Sequence, residues 1–274
     1  MHVLIPADLT QEHRRLLDTY LTDDRLLRST DWAKIYEAIN WLNDARIVRQ
    51  NRTWRFRQIY DQQIDDIFAD SYLKHLLSLD DVSKQSQALA AMFARQIKPA
   101  LQHAGFLRQG VRENWLLRAY CVYWWQSFAR GYAFEVEIIQ DLEANGIVFQ
   151  AHDLHRRETR YSKADFTVLG LDGDIKTSTY FLKFQPRRDL ANDFYITRLY
   201  EKKRQRTLVV FQKPVAWQTI NGEVLYESKL DDLHKILPKP VRLQQDNVTL
   251  VVIEYDLWKQ KVLKIQQDEG EQHV

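Results

Sequence analysis

The chain has 274 residues, of which 45% are hydrophobic and 28% are charged, with a formal net charge of +2. This composition is typical of a globular protein, and the absence of an apolar run of about 18 residues excludes an obvious membrane span. The N-terminal segment carries charged residues too early for a secretory leader, and the single cysteine, Cys121, excludes an internal disulfide framework. We therefore expect a cytoplasmic protein.

The first part of the chain, residues 1–110, is predicted to be a mostly helical N-terminal domain, because apolar residues between Trp32 and Leu42 recur at helical spacing. The segment 45–60 has two interpretations. Its arginines alternate with apolar residues, so that it could form a hairpin and, with the preceding helix, resemble a winged helix. The alternative is a helix with a charged face, which we favour because short hairpins are hard to predict.

Two longer helices follow in the prediction. One covers residues 83–105 and is expected to be interrupted or kinked at Pro99, since proline removes a helical hydrogen bond. The other covers residues 112–146, with a break near Gly131 and a stop signal at its end.

Beyond residue 146 the hydrophobic period changes from that of helices to that of strands. A single helix is predicted at 228–237, and strands are predicted at 147–152, 164–170, 174–178, 194–200, 207–212 and 249–255. The C-terminal part, residues 111–274, is thus predicted to be a mixed α/β domain, with a mixed central β-sheet flanked by helices.

Glu135 is the first candidate functional residue. It stands three, four and seven positions before Ile138, Ile139 and Leu142, and so shares the core-facing side of its helix. A carboxylate aimed at a core is unfavourable unless it is paired or near a cation. A boundary glutamate that reaches solvent or pairs with a nearby base is the alternative.

Three further candidates lie in the segment 164–178. Strand alternation places Asp165 on one face of the first strand, and Asp174 and Lys176 together on one face of the next. Two converging carboxylates repel each other, and a divalent cation removes that repulsion. Hard oxygen ligands favour Mg²⁺, with Mn²⁺ as a substitute, and a neighbouring lysine can position or deprotonate water.

In this order the residues resemble the PD-(D/E)XK nucleases, the restriction-endonuclease-like superfamily. The matching pieces are a helix-borne Glu135, a strand-borne Asp165 and the tripeptide Asp174–Ile175–Lys176. The resemblance implies a metal-dependent endonuclease that hydrolyses phosphodiester bonds in nucleic acid, mostly DNA. It implies that Asp165, Asp174 and the backbone carbonyl of Ile175 bind Mg²⁺, that Lys176 activates water, and that Glu135 lies beside or on a second metal.

The sequence departs from the family pattern in three ways. Ala164 stands in place of proline, Asp174 stands in place of the commoner glutamate, and only eight residues separate Asp165 from Asp174. A tight turn at Asp172–Gly173 would keep Asp165 and Asp174 about 20 Å apart. We therefore predict a turn near Leu169–Gly170, or a strong bend, that brings the two carboxylates together.

Residues 155–206 contain 13 Lys and Arg against 7 Asp and Glu, a local excess that suits a polyanion. A solvated basic loop is the alternative. The residues predicted to bind nucleic acid are Arg156, Arg157, Arg160, Lys163, Ser178, Lys183, Arg187, Arg188, Lys202, Lys203 and Arg204.

Two other functions stay open. One is a non-catalytic nucleic-acid-binding protein, either a regulator or a decayed nuclease fold, and the other is an interaction protein whose carboxylates lie on the surface. A nuclease of this kind is also compatible with a homodimer. Cleavage that depends on Mg²⁺ would separate the enzyme from both alternatives.

Overall fold

The computed structural model of the protein describes residues 2–4, 9–20, 32–108, 114–152, 164–179, 181–182, 191–201, 204–212, 214–220, 223, 226–245 and 248–271. The chain forms two compact units, Met1–Ala133 and Phe134–Val274. The predicted boundary between residues 110 and 111 lies outside the described residues. The two units divide instead within one long helix.

The first unit combines helices with a small antiparallel sheet. Its strands pair in the order β1-β2-β3. Its elements are β1 (His2–Leu4), α1 (Gln11–Tyr20), α2 (Trp32–Leu42), β2 (Arg46–Arg49), β3 (Arg52–Arg55), α3 (Phe56–Tyr60), a π-helical turn (Asp61–Asp65), α4 (Asp66–Leu77) and α5 (Val82–His103), followed by the start of α6 (Asn114–Ala144).

The helical interpretation that we favoured for residues 45–60 is wrong over most of its length. β2 and β3 form a two-stranded hairpin, and only Phe56–Tyr60 is helical. The hairpin turns at Gln50 and Asn51, which both have positive φ, the conformation that matches the twist of a two-residue hairpin. The resemblance to a winged helix stays a prediction.

The predicted interruption at Pro99 and the predicted break near Gly131 are also wrong, whereas a kink at Pro99 stays a prediction. α5 runs through Pro99 without interruption, because Ile97 and Leu101 on either side of it are fully buried and hold the helix in place. α6 likewise runs through Gly131. Helical packing on both sides thus outweighs the local preference of a single residue.

The second unit is built on a mixed eight-stranded sheet, which confirms the predicted mixed α/β class. The strand order is β4-β5-β6-β7-β8-β11-β10-β9, and the pairs β6–β7 and β9–β10 are parallel while the others are antiparallel. The strands are β4 (Gln150–Ala151), β5 (Phe166–Val168), β6 (Leu171–Lys176), β7 (Phe194–Glu201), β8 (Arg204–Phe211), β9 (Tyr226–Ser228), β10 (Val241–Gln245) and β11 (Val248–Glu254).

Helices cover both faces of this sheet. The C-terminal part of α6, α7 (Pro214–Thr219) and α9 (Tyr255–Glu271) pack on one face, around Phe134, Phe194 and Trp258. The other face packs against a 3₁₀ turn (Leu230–Asp232) and α8 (Leu233–Ile236). The prediction did not include β9, β10 or α9.

A side chain of α9 holds the segment that leads into β4. The amide of Gln266, on α9, donates to the carbonyl of Val148 at 2.7 Å and accepts from its N–H at 3.0 Å. Val148 stands just before β4 and is 72% exposed. Among the described helices, none is both long and apolar enough to cross a membrane.

Candidate active site

The turn between β5 and β6 lies where a common site for Asp165 and Asp174 requires it. Val168 pairs with Leu171 and Phe166 with Gly173, so Leu169 and Gly170 form a two-residue turn. Both turn residues have positive φ, at 51° and 72°. The predicted turn near Leu169–Gly170 is therefore confirmed.

This register sets Asp165 beside Asp174. The N–H of Asp165 donates to the carbonyl of Gly173 at 2.9 Å, one step beyond the last strand pair. The carboxyl group of Asp174 is close enough to that of Asp165 to raise its pKa. Asp165 also accepts a hydrogen bond from the N–H of Ile175 at 2.6 Å, which fixes one of its oxygens.

Lys176 reaches back along its own strand to Asp174. Its Nζ lies 2.7 Å from Oδ1 and 2.6 Å from Oδ2 of that carboxylate. Asp174 is 9% exposed, whereas the Lys176 side chain is 41% exposed. The ammonium group therefore stands between the buried carboxylate and the solvent.

Glu135 faces these residues from the second part of α6. Its neighbour Phe134 is fully buried in the core below the sheet, and Glu135 itself is partly buried. Burial, reinforced by the charges of Asp165 and Asp174 and opposed by Lys176, raises the pKa of Glu135 to about 9. The glutamate thus belongs to the same electrostatic cluster, a proximity that the family resemblance implied.

The pKa of Asp165 is raised to about 7, first by burial and then by the neighbouring Asp174, against the opposing hydrogen bond from Ile175. If Glu135, Asp165 and Asp174 are all ionised, Lys176 leaves two negative charges uncompensated. Buried charges are normally paired or bound to metal. The oxygen-only donor set and its charge excess fit a divalent cation such as Mg²⁺.

No three His, Cys, Asp or Glu side chains within the described ranges are arranged as a ligand group for a metal. The three carboxylates of the predicted ligand set, Glu135, Asp165 and Asp174, therefore do not form such a group. Lys176 and the N–H of Ile175 occupy carboxylate oxygens that a cation would use. Binding would therefore require Lys176 to move off at least one oxygen of Asp174.

The neighbouring strand β7 contributes two residues that the sequence did not indicate. Asp174 pairs with Tyr195 and Lys176 with Thr197 in the parallel β6–β7 ladder, so each pair shares a face. Thr197 is fully buried, and its hydroxyl has no hydrogen-bond partner in the described part of the chain. A segment of 17 residues separates β6 from β7, so no local pattern reveals this pairing.

Arg198, next along β7, turns to the opposite face and packs on α6. Its guanidinium lies 2.6 Å from Glu137 and 3.9 Å from the ring centroid of Phe134. This contact ties the helix that carries Glu135 to the strand beside Lys176.

Most of the predicted nucleic-acid-binding residues lie outside the part of the chain that the structure describes. Ser178 follows β6 and is partly exposed. Arg204 begins β8, and its side chain is not described. Outside the described residues lie Arg156, Arg157, Arg160, Lys163, Lys183, Arg187, Arg188, Lys202 and Lys203.

Comparison with known proteins finds no matching family model, no matching curated protein and no matching solved structure.

Proposed function

We propose that the protein is a Mg²⁺-dependent nuclease with a PD-(D/E)XK-type core, which hydrolyses phosphodiester bonds in nucleic acid and acts on DNA as an endonuclease. The observation that carries the proposal is the turn at Leu169–Gly170, which sets Asp165 against Asp174. Lys176 on Asp174 and the buried Glu135 complete the set of side chains that such a site uses.

Each residue has a distinct role in this proposal. Asp165, Asp174 and the carbonyl of Ile175 would hold the cation, and the Ile175 N–H keeps Asp165 oriented. The bound cation would polarise the scissile phosphate and lower the pKa of water. Lys176, released in part from Asp174, would orient the attacking water or neutralise a phosphate oxygen. Water adds to phosphorus, one ester bond breaks, and the leaving oxygen takes up a proton.

The charge of the site supports its need for a cation. A phosphodiester is itself anionic, and the ionised carboxylates of Glu135, Asp165 and Asp174 would repel it. Lys176 compensates only one of these charges. Binding of the scissile phosphate at the carboxylate site is therefore expected to depend on a divalent cation.

A non-catalytic nucleic-acid-binding protein remains the second candidate. The observation that favours it is the pairing of Lys176 with both oxygens of Asp174, which satisfies that carboxylate without metal. Such a protein would bind nucleic acid equally well in the presence of a chelator.

A cleavage assay on plasmid DNA, with Mg²⁺ or with EDTA, tests the proposal. We expect cleavage only with Mg²⁺ or Mn²⁺, and a loss of at least about 100-fold in Asp174→Asn and in Lys176→Met. Asp172→Asn is the matched control, because Asp172 lies two residues earlier on the same strand face and bonds Thr167 rather than the site. Cleavage in EDTA, or full activity of Asp174→Asn, would refute the assignment.

A further inference from the structure

The outer face of the three-stranded sheet in the first unit carries two arginines directly opposite each other. The strand registers pair Leu4 with Arg46 and Arg46 with Arg55. Cross-strand partners share a face, so these three side chains lie in one row. All three are exposed, whereas Ile47, next to Arg46, is fully buried on the opposite face.

The two arginines of this row form no ion pair with any residue that the structure describes. Other arginines nearby are engaged. Arg49, on the inner face, donates to the carbonyl of Ala104 at 2.5 Å and lies over the ring of Phe106. Arg57, just after the hairpin, pairs with Asp61 at 2.8 Å. Arg46 and Arg55 are thus exposed cations without an ion-pair partner in the described part of the chain.

The facing positions of Arg46 and Arg55 are expected to lower the stability of the folded protein. Like charges directly opposite in an antiparallel pair lower its stability. Arg52, also exposed, pairs with Arg49 on the other face and does not belong to this row. A hairpin with this pattern becomes favourable when a partner supplies negative charges to both strands.

Phosphate groups are the partner chemistry that fits best. Guanidinium groups bind phosphate oxygens through two parallel hydrogen bonds, and a row of them suits a regularly spaced polyanion. The major groove of duplex DNA is also wide enough to admit a two-stranded β-ribbon.

We propose that the β2–β3 hairpin is a nucleic-acid contact of the first unit, in which Arg46 and Arg55 bind backbone phosphates of duplex DNA. This inference rests on the proposed action on nucleic acid but uses none of the carboxylate-site residues. Because both units belong to one chain, a phosphate contact at the hairpin would raise the local concentration of DNA for the second unit. The contact would be independent of base sequence, since phosphates carry no sequence information.

The salt dependence of DNA binding tests this proposal. Binding of a mixed-sequence duplex is measured by fluorescence anisotropy in EDTA, so that no metal-dependent cleavage occurs. We expect Arg46→Gln/Arg55→Gln to reduce the slope of log K against log salt by about 2. The ratio of the dissociation constant of the variant to that of the unaltered protein should then increase about tenfold when the salt concentration falls from about 200 mM to about 50 mM.

Three comparisons make the result specific. Lys74→Gln/Lys98→Gln removes the same charge from two exposed helical positions and should leave the slope unchanged. Arg46→Lys/Arg55→Lys keeps the charge and should keep the slope. The melting temperature of the Arg46→Gln/Arg55→Gln variant should be equal or higher, because repulsion between the strands is removed.

An unchanged slope in Arg46→Gln/Arg55→Gln, or an equal loss in the Lys74→Gln/Lys98→Gln control, would overturn the proposal. Binding through these arginines to anionic vesicles but not to duplex DNA would overturn it as well. The binding and cleavage experiments distinguish a failure of the hairpin proposal from a failure of the nuclease proposal. A reduced slope without Mg²⁺-dependent cleavage supports the hairpin alone, and cleavage with an unchanged slope supports the carboxylate site alone.

Discussion

The ionisation of Glu135 depends on the charged groups around it. Its carboxyl group is partly buried and faces two more carboxyl groups, so its neutral form is favoured in the absence of a cation. A protonated Glu135 can donate a hydrogen bond, and an ionised one adds to the attraction for a cation. The same residue therefore links the proton and cation occupancy of the site.

This link makes the stability of the metal-free protein depend on pH. The pKa of Glu135 rises from 4.5 to about 9 on folding, so the folded protein holds a proton that the unfolded chain has lost in this range. Stability should fall as pH rises from about 4.5 to about 9, by at most about 1.4 kcal/mol per pH unit for this group. Glu135→Gln should therefore match the unaltered protein below this range and exceed its stability above it.

Urea denaturation in EDTA at several pH values measures this difference. Parallel stability curves for the two proteins would show that Glu135 is not held in its neutral form. A free energy of unfolding that is lower in Glu135→Gln at high pH would contradict the expected sign.

The identity of the site residues could be predicted because their chemistry is visible in the sequence. Glu135 was found from its distance to Ile138 and Leu142, and Asp174 and Lys176 from strand alternation. Their hydrogen bonds could not be predicted, because they depend on distances of a few tenths of an ångström. Thr197 gave no signal, since a threonine in a strand is ordinary.

At the scale of the element, the hairpin turn decides whether the site exists. A slip of one residue in the β5–β6 register would turn Asp174 to the other face of the sheet. Leu169 accepts an unfavourable positive φ, and its side chain packs against the core below the sheet. Gly170 takes the second positive φ without a side chain.

Gly170→Ala should destabilise the protein by about 1 to 2 kcal/mol, the cost of a left-handed conformation for a residue with a side chain. No atom lies within 4 Å of the added methyl group, so the effect comes from the backbone alone. Gly131→Ala is the matched control, because its methyl group also enters open space but on a helix. There the same substitution should stabilise by about 0.5 to 1 kcal/mol.

The free energy of unfolding of both variants, from urea titrations, gives the comparison. Equal effects of the two alanines would mean that the turn does not constrain Gly170.

The elements that the sequence predicted well are those with a single strong pattern. β7, β8 and β11 are apolar runs of suitable length and were found close to their observed bounds. The β2–β3 hairpin was considered but not favoured, because arginines occupy both of its faces and weaken the alternation on which the prediction depends.

At the scale of the whole molecule, the mixed α/β class could be predicted from the sequence, whereas the position of the boundary between the two units could not. The boundary lies inside α6, where no proline, glycine-rich stretch or change of composition marks it. The first part of α6 belongs to the core of the first unit. Trp125 donates to the carbonyl of Ala90, and the ring of Tyr120 contacts that of Phe56.

A fragment of residues 111–274 should therefore self-associate and bind dyes that recognise exposed apolar surface. A fragment of residues 134–274 should stay monomeric. The longer fragment would expose Leu116, Leu117 and Trp125, which are fully buried in the intact chain. Loss of burial costs roughly 1.5 to 3 kcal/mol for each such side chain. Size-exclusion chromatography and dye binding to exposed apolar surface measure the difference, and a monomeric, dye-free longer fragment would contradict it.

The contact between Gln266 and Val148 has a consequence for how molecules of this protein behave in concentrated solution. The free edge of a sheet is a template on which a strand from another molecule can add. Gln266 does not cover this edge, but it holds the chain where it enters the edge strand β4. The position of the template thus depends on a residue 118 positions away in the chain, on a helix that takes no part in the ladder.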